Sequence, residues 1–177
     1  GLVGSEMCIR DRDWNTWLES GKYEIIKDEQ GLYTVLPKKT NQSSQTNSVI
    51  LRPIPRDIPT GENISPASLS IETEHDHYPL STTEVKITIT NHSHYEYECG
   101  EKYSLAYYNK SKRQWETLPT DPVVNDILWI FPPEHPSHQQ TIKLYTSESP
   151  NHPGKYRIYK SFNRGTKVAY GEFELLP

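Results

Sequence analysis

The residues that most readily suggest chemistry are seven histidines, two cysteines and a set of aromatic rings in a chain of 177 residues. His75-Asp76-His77 and His92-Ser93-His94 are both H-x-H pairs, a spacing that sets two imidazoles on one face of a strand and suits a transition metal. Between them lies Thr83 to Thr90, whose eight residues span about 26 Å when extended. Pairs at opposite ends of such a strand cannot share an ion, so both read as solvated turns. In Glu134-His135-Pro136-Ser137-His138 the Glu precedes the first His, and Pro136 forbids the helix an H-E-x-x-H site requires. Cys99 lies beside Glu98 and Glu101, whose charges raise a thiol pKa, so it reads as a half-buried structural residue. Neither G-x-S-x-G, a Gly-rich phosphate loop nor C-x-x-C occurs. The expectation is a chain with no catalytic residue, no metal site and no cofactor.

Aromatic residues make up 11% of the chain, with Tyr alone at 12, against a hydrophobic fraction of 33%. In so lean a composition large rings must fill much of any core, and alternation turns Tyr103 and Tyr107 inward. Core packing is therefore the first reading of these rings. The alternative is a flat platform for sugar rings built from Tyr107, Tyr108, Trp115 and Trp129. Lys and Arg total 19 against 23 Asp and Glu, a net charge of −4, which excludes a strongly basic nucleic-acid binder and a polybasic membrane-surface protein. No run approaches the roughly 18 apolar residues that span a bilayer, so these residues insert in no membrane directly. Asn41, Asn63, Asn91 and Asn109 begin N-x-S sequons that read as accidental in a chain rich in Asn and Ser.

These groups must be positioned by elements that change character along the chain. Gly1 to Arg12 (GLVGSEMCIRDR) resembles a translated sequencing-adaptor fragment and is set aside from fold reasoning as non-native. Cys8 goes with it, leaving Cys99 without a disulfide partner. Residues 13–36 form an N-terminal segment read as truncated, with its signal or anchor missing. In it Trp14, Trp17 and Leu18 are spaced as a short helical turn, and KYEIIK and LYTVL flank a turn ending at Gly31, which predicts a β-hairpin. An isolated hairpin is marginal in water, so this one ends a preceding domain or docks on the next. Residues 37–66 are polar and then Pro-rich, with Pro53, Pro55, Pro59 and Pro66, and predict a linker of low order.

From residue 67 to 177 short alternating strands recur with turn signals every 8 to 12 residues. Val85, Ile87 and Ile89 oppose Lys86, Thr88 and Thr90 in the clearest of them. His77-Tyr78-Pro79 reads as a turn. Val168 and Tyr170, followed by Phe173 and Leu175, imply a phase shift at Gly171 and hence a bulge. No connection is long enough for a crossover helix, so the prediction is an all-β, antiparallel β-sandwich of 7–8 strands, preceded by a short hairpin and a Pro-rich linker.

TEVKITITNHS, EKYSLAYYNKSKRQWETLP, DPVVNDI, PGKYRIYKSF and VAYGEFEL, in that order, cover about Leu69 to Leu175. This succession resembles a family of bacterial immunoglobulin-like (Ig-like) domains found in exported and membrane-attached proteins. In PGKYRIYK, Tyr156 stands two residues before Ile158, as in a tyrosine corner whose Cys position holds an aliphatic residue. The resemblance implies an extracytoplasmic module, periplasmic or at the cell surface and carried by a lipoprotein or similar anchor. Its role would be binding, adhesion or structural spacing, with protein or a cell-surface glycan as partner. An accessory or sensory ectodomain of a larger membrane protein or enzyme, and a carbohydrate-binding module, are the alternatives.

Overall fold

A computed structural model describes residues 19–39 and 51–177. The adaptor-like residues 1–12 and the helical turn expected at Trp14, Trp17 and Leu18 lie outside them. Strand β7 (Glu84–Asn91) is the centre of a three-stranded antiparallel sheet between β5 (Leu69–Thr73) and β12 (Ser137–Lys143). Its alternation is as the sequence predicts, with Val85, Ile87 and Ile89 buried. Facing it, β9 (Ser104–Asn109) pairs with β10 (Gln114–Thr120) and β13 (Gly154–Phe162), and β13 pairs with β14 (Lys167–Leu176). One core fills the space between the layers, joining Ile87, Ile89 and Ile142 to Leu105, Tyr156, Ile158, Phe173 and Leu175. A third antiparallel group contains β8 (Tyr97–Gly100) and β11 (Leu128–Phe131), extended by β2 (Tyr33–Pro37) and β1 (Tyr23–Lys27). The fold is an all-β sandwich, as expected.

Several local expectations resolve in structural detail. The tyrosine corner is present: the Tyr156 hydroxyl donates to the His152 carbonyl at 3.0 Å and accepts from the His152 amide at 2.8 Å. Asn91, fully buried at the end of β7, cannot serve as a glycan acceptor. Its amide donates to the carbonyls of Tyr95, Phe131 and Pro132, while its oxygen accepts from Ser93. The N-terminal hairpin docks on the sandwich: β2 pairs with β11 and Leu32 enters the common core.

Three readings are corrected. Residues 54–63 are not loose chain: β3 (Ile54–Pro55) adds antiparallel to β10, and β4 (Glu62–Asn63) adds parallel to β14. Between those points Ile58 packs on Ala106, Tyr159 and Val168, and the Ser104 hydroxyl donates to the Asp57 carbonyl at 2.7 Å. Proline density excludes a helix but leaves an extended chain well suited to a sheet edge. His77-Tyr78-Pro79 is a short strand, β6 (His77–Pro79), also parallel to β14.

Nor is there a bulge at Gly171. Pairing of β13 with β14 runs unbroken, with Ile158 opposite Gly171 and Tyr159 opposite Tyr170. The inward residues are Ala169, Gly171, Phe173 and Leu175, and Tyr170 points out. Small residues stand inward because β5 crosses there: a Cβ at Gly171 would lie 2.6 Å from the Ile71 carbonyl oxygen. Gly171→Ala is accordingly expected to destabilise the fold by about 1–3 kcal/mol through overpacking, read as a lower urea midpoint with an unchanged slope.

Candidate functional site

The four rings singled out in the sequence do not meet on one surface. Trp129 is 6% exposed, beneath His138, whose ring centroid is 4.1 Å away. Tyr107 faces inward at the sheet end, against Tyr156 and His152. Tyr108 and Trp115 are register partners on β9 and β10, both half-buried on the outer face, with centroids 5.2 Å apart. The residues that continue their row went unrecognised. Arg157 on β13 places its guanidinium 4.2 Å from the Trp115 centroid and 4.2 Å from that of Tyr170 on β14. It also donates to Glu172 at 2.6 Å. Tyr159 meets the Tyr170 ring at 5.6 Å. Ala106, opposite Arg157 on β13 and Thr117 on β10, is buried in the small outer cluster against which Trp115 packs. Unbroken alternation of β13 and β14 would have revealed Arg157 and Tyr170, but reading Tyr170 as inward hid the row. Arg157 takes one face of each flanking ring as a cation–π stack. Those faces are not open to a sugar.

A second cluster lies in the core. Lys160 occupies an inward position on β13, in series with Tyr156, Ile158 and Phe162, and is completely buried. Its ammonium donates to the carbonyls of Gly100 (2.8 Å), Glu101 (3.3 Å) and Lys102 (3.2 Å) and to Gln140 Oε1 (2.8 Å). The Trp129 ring centroid is 5.2 Å away. Gln140 donates in turn to the Glu101 carbonyl at 2.7 Å. Burial lowers the Lys160 pKa from its ordinary value. Carbonyl dipoles replace the water the cation has lost. No sequence signal marks such a cage, because three of its acceptors are main chain.

A family model described as bacterial Ig-like domain matches residues 65–174. The chain belongs to that family. No curated protein matches it. Among solved structures, a Pseudomonas fluorescens alkylpurine DNA glycosylase AlkC, bound to DNA containing an abasic-site analog, is similar at 12% identity and a TM-score of 0.32. The alignment covers 63% of this chain and 31% of that one, and a likeness this low bears on neither fold nor function.

Other candidate groups of the Ig-like domain and its flanking strands are also placed. His77 lies 3.7 Å from Glu174, and His92 Nε2 lies 2.8 Å from the Ser70 hydroxyl, near the opposite end of β5. Among the described residues no group of three or more His, Cys, Asp or Glu is arranged to hold a metal ion. No helix among them is long and apolar enough to cross a membrane. Cys99 is 3% exposed rather than half-buried. Burial, more than Glu98, pushes its thiol up to about 11, against a nearby Lys160 that lowers it. A cleft of about 830 Å³ separates residues 54–60 from β8 and the outer face of β13. Its lining mixes Arg56, Lys102 and Arg164 with Asp57 and Glu98, so its charge selects no one ligand class.

Two outcomes follow for the buried cluster. Lys160→Met leaves the Gly100 and Lys102 carbonyls and Gln140 Oε1 without this donor, and is expected to cost about 3–5 kcal/mol in denaturant unfolding. His138 is held at a pKa of about 4, below 6.5, first by burial and then by the Lys160 charge. The unfolded chain therefore takes up the proton first as pH falls. Stability is full above about pH 6.5 and drains towards pH 4, by up to about 3 kcal/mol. His138→Phe should flatten that slope in unfolding curves measured between these limits.

Proposed function

We propose that this Ig-like domain is a non-catalytic module held outside the cytoplasm, which makes its attachments main chain to main chain, by strand addition, in binding, adhesion or spacing. The observation that carries this reading is the treatment of its sheet edges. Residues outside the family match add strands to the module at three places: β2 on β11, β3 on β10 and β4 on β14. Two of these additions are only two residues long, so the edges accept very short extended segments. An exposed edge offers unpaired amides and carbonyls to any extended chain, and this is the physical basis of strand addition between proteins. In the three-stranded sheet β12 remains an outer strand, and β1 ends the four-stranded group. A glycan-binding role has less support, since the outer rings stack on one another and on Arg157.

The test titrates the full chain with extended peptides of alternating Thr and Val and, separately, with soluble β-glucan and chitin oligosaccharides, following amide hydrogen exchange. The expected result is new protection along β1, β12 or the free part of β10 with peptide, and none with saccharide. Saccharide-dependent protection around Trp115 and Tyr170, or peptide binding that protects no edge, would overturn the reading.

A further inference from the structure

The two strands that run parallel to β14 differ from every other pairing in the sandwich. Among the described residues, parallel pairing occurs only there, at β4 and at β6. β4 sits at the start of β14, with Glu62 opposite Lys167 and Asn63 opposite Val168. β6 sits at its end, with His77, Tyr78 and Pro79 opposite Glu174, Leu175 and Leu176. Between them β5 crosses the middle, where Ile71 meets Gly171 and the Thr73 hydroxyl donates to the Glu172 carbonyl at 3.4 Å. Residues 62–79 therefore advance along β14 from end to end, in its own direction.

That arrangement governs how the module meets tension. Pulls on the chain before β4 and after β14 act in opposite directions along one axis. The two segments are drawn past each other, and their contacts are loaded together rather than opened in turn. Those contacts are firm at both ends. The amides of Glu62 and Ile64 donate to the carbonyls of Thr166 (2.9 Å) and Val168 (2.8 Å), and the Glu174 amide donates to the Asp76 carbonyl at 2.9 Å. The Lys167 ammonium pairs with Glu62 at 2.9 Å. Gly61 lets the backbone lie against residues 165–167, since a Cβ there would stand 2.9 Å from three of their backbone atoms. Tyr78 meets Phe173 edge-on at 5.7 Å and packs on the main core, as Ile64 does. Each bond is weak by itself. Bonds that must break together set a high barrier, and forced unfolding follows the rate over that barrier rather than equilibrium stability.

We propose that residues 62–79 and β14 form a shear clamp, and that this module carries tension along its own chain. The inference rests on the adhesion or spacing reading, which supplies the load. β4 lies nearest the point where load enters and takes it first, with β5 and β6 behind it. Another direction of pull meets no such resistance. Thr60 and Arg164 each adjoin the Gly61–Gly165 contact at the start of β14, so separating them peels β4 away one bond at a time.

Single-molecule force spectroscopy on the full chain tests the clamp, with handles attached at exposed Thr60 and at either Pro177 or Arg164. The 60–177 direction is expected to need at least about twice the unfolding force of the 60–164 direction, because several bonds rather than one bear the load. Glu62→Pro deletes the first amide and the ion pair of the clamp while altering no core side chain. It should bring the 60–177 force down towards the peeling value. Glu62→Gln, which removes the ion pair alone, should lower it by less. Equal forces in the two directions overturn the clamp, as does an undiminished 60–177 force in folded Glu62→Pro. The comparison of directions uses unaltered strands, so it stands even where that variant does not fold. The peptide titration tests strand addition separately. Equal forces beside protected edges remove only the clamp, whereas protection of no edge removes strand addition and leaves a measured clamp in place.

Discussion

The ammonium of Lys160 is the point on which the arrangement of sheets depends. It stands where a core residue should, yet it carries a charge whose burial without compensation would cost many kcal/mol. The compensation is supplied by elements distant in sequence: the carbonyls of Gly100, the last residue of β8, and of Glu101 and Lys102 just after it, Gln140 on β12 and the ring of Trp129 on β11. Each must be in place for the cation to be tolerated inside. One side chain on β13 thereby fixes the β8–β9 connection, β11 and β12 relative to the larger sheet. His138, stacked on Trp129 and near the same charge, is kept neutral by its position.

Around that point the sandwich closes by close approach on one side and by added strands on the others. At Gly171 the backbone of β5 comes so near β14 that no side chain fits between them. Elsewhere the chain occupies its own edges with β2, β3, β4 and β6. These short additions explain how segments that look unstructured or peripheral become part of the sheets. An extended proline-rich strap needs only a few main-chain pairs and one apolar anchor, here Ile58, to lie along a sheet.

The outer face shows how the same rings can mean different things before and after folding. Tyr108 and Trp115 belong to a surface row, but Arg157 lies between Trp115 and Tyr170 and joins them into a stack. Arg157 takes one face of each of these two rings and ties β10, β13 and β14 together across the outer surface. Attention therefore moves from side chains to edges, where the hydrogen-bonding capacity of the backbone is the recognition chemistry.

The sequence by itself determined the local matters. The strict alternation of Thr83 to Thr90 gave a strand with one buried face, the turn signals set the spacing of an all-β sandwich, and Tyr156 before Ile158 announced the tyrosine corner. These follow from period-two patterning and turn chemistry, which act over a few residues. Alternation also put the stem of Lys160 in line with Tyr156 and Ile158. Only the tertiary structure decided that Trp129 is buried and Tyr170 is not, that residues 54–63 and the hairpin join the sheets of the sandwich, and that the Lys160 ammonium stays in the core with its stem. Each of those outcomes depends on what a distant segment brings: the β5 backbone at Gly171, a β10 edge left open, or three carbonyls facing an ammonium. Residue type records no such thing, because a backbone carbonyl is the same in every residue, and only the fold gathers several of them around one charge.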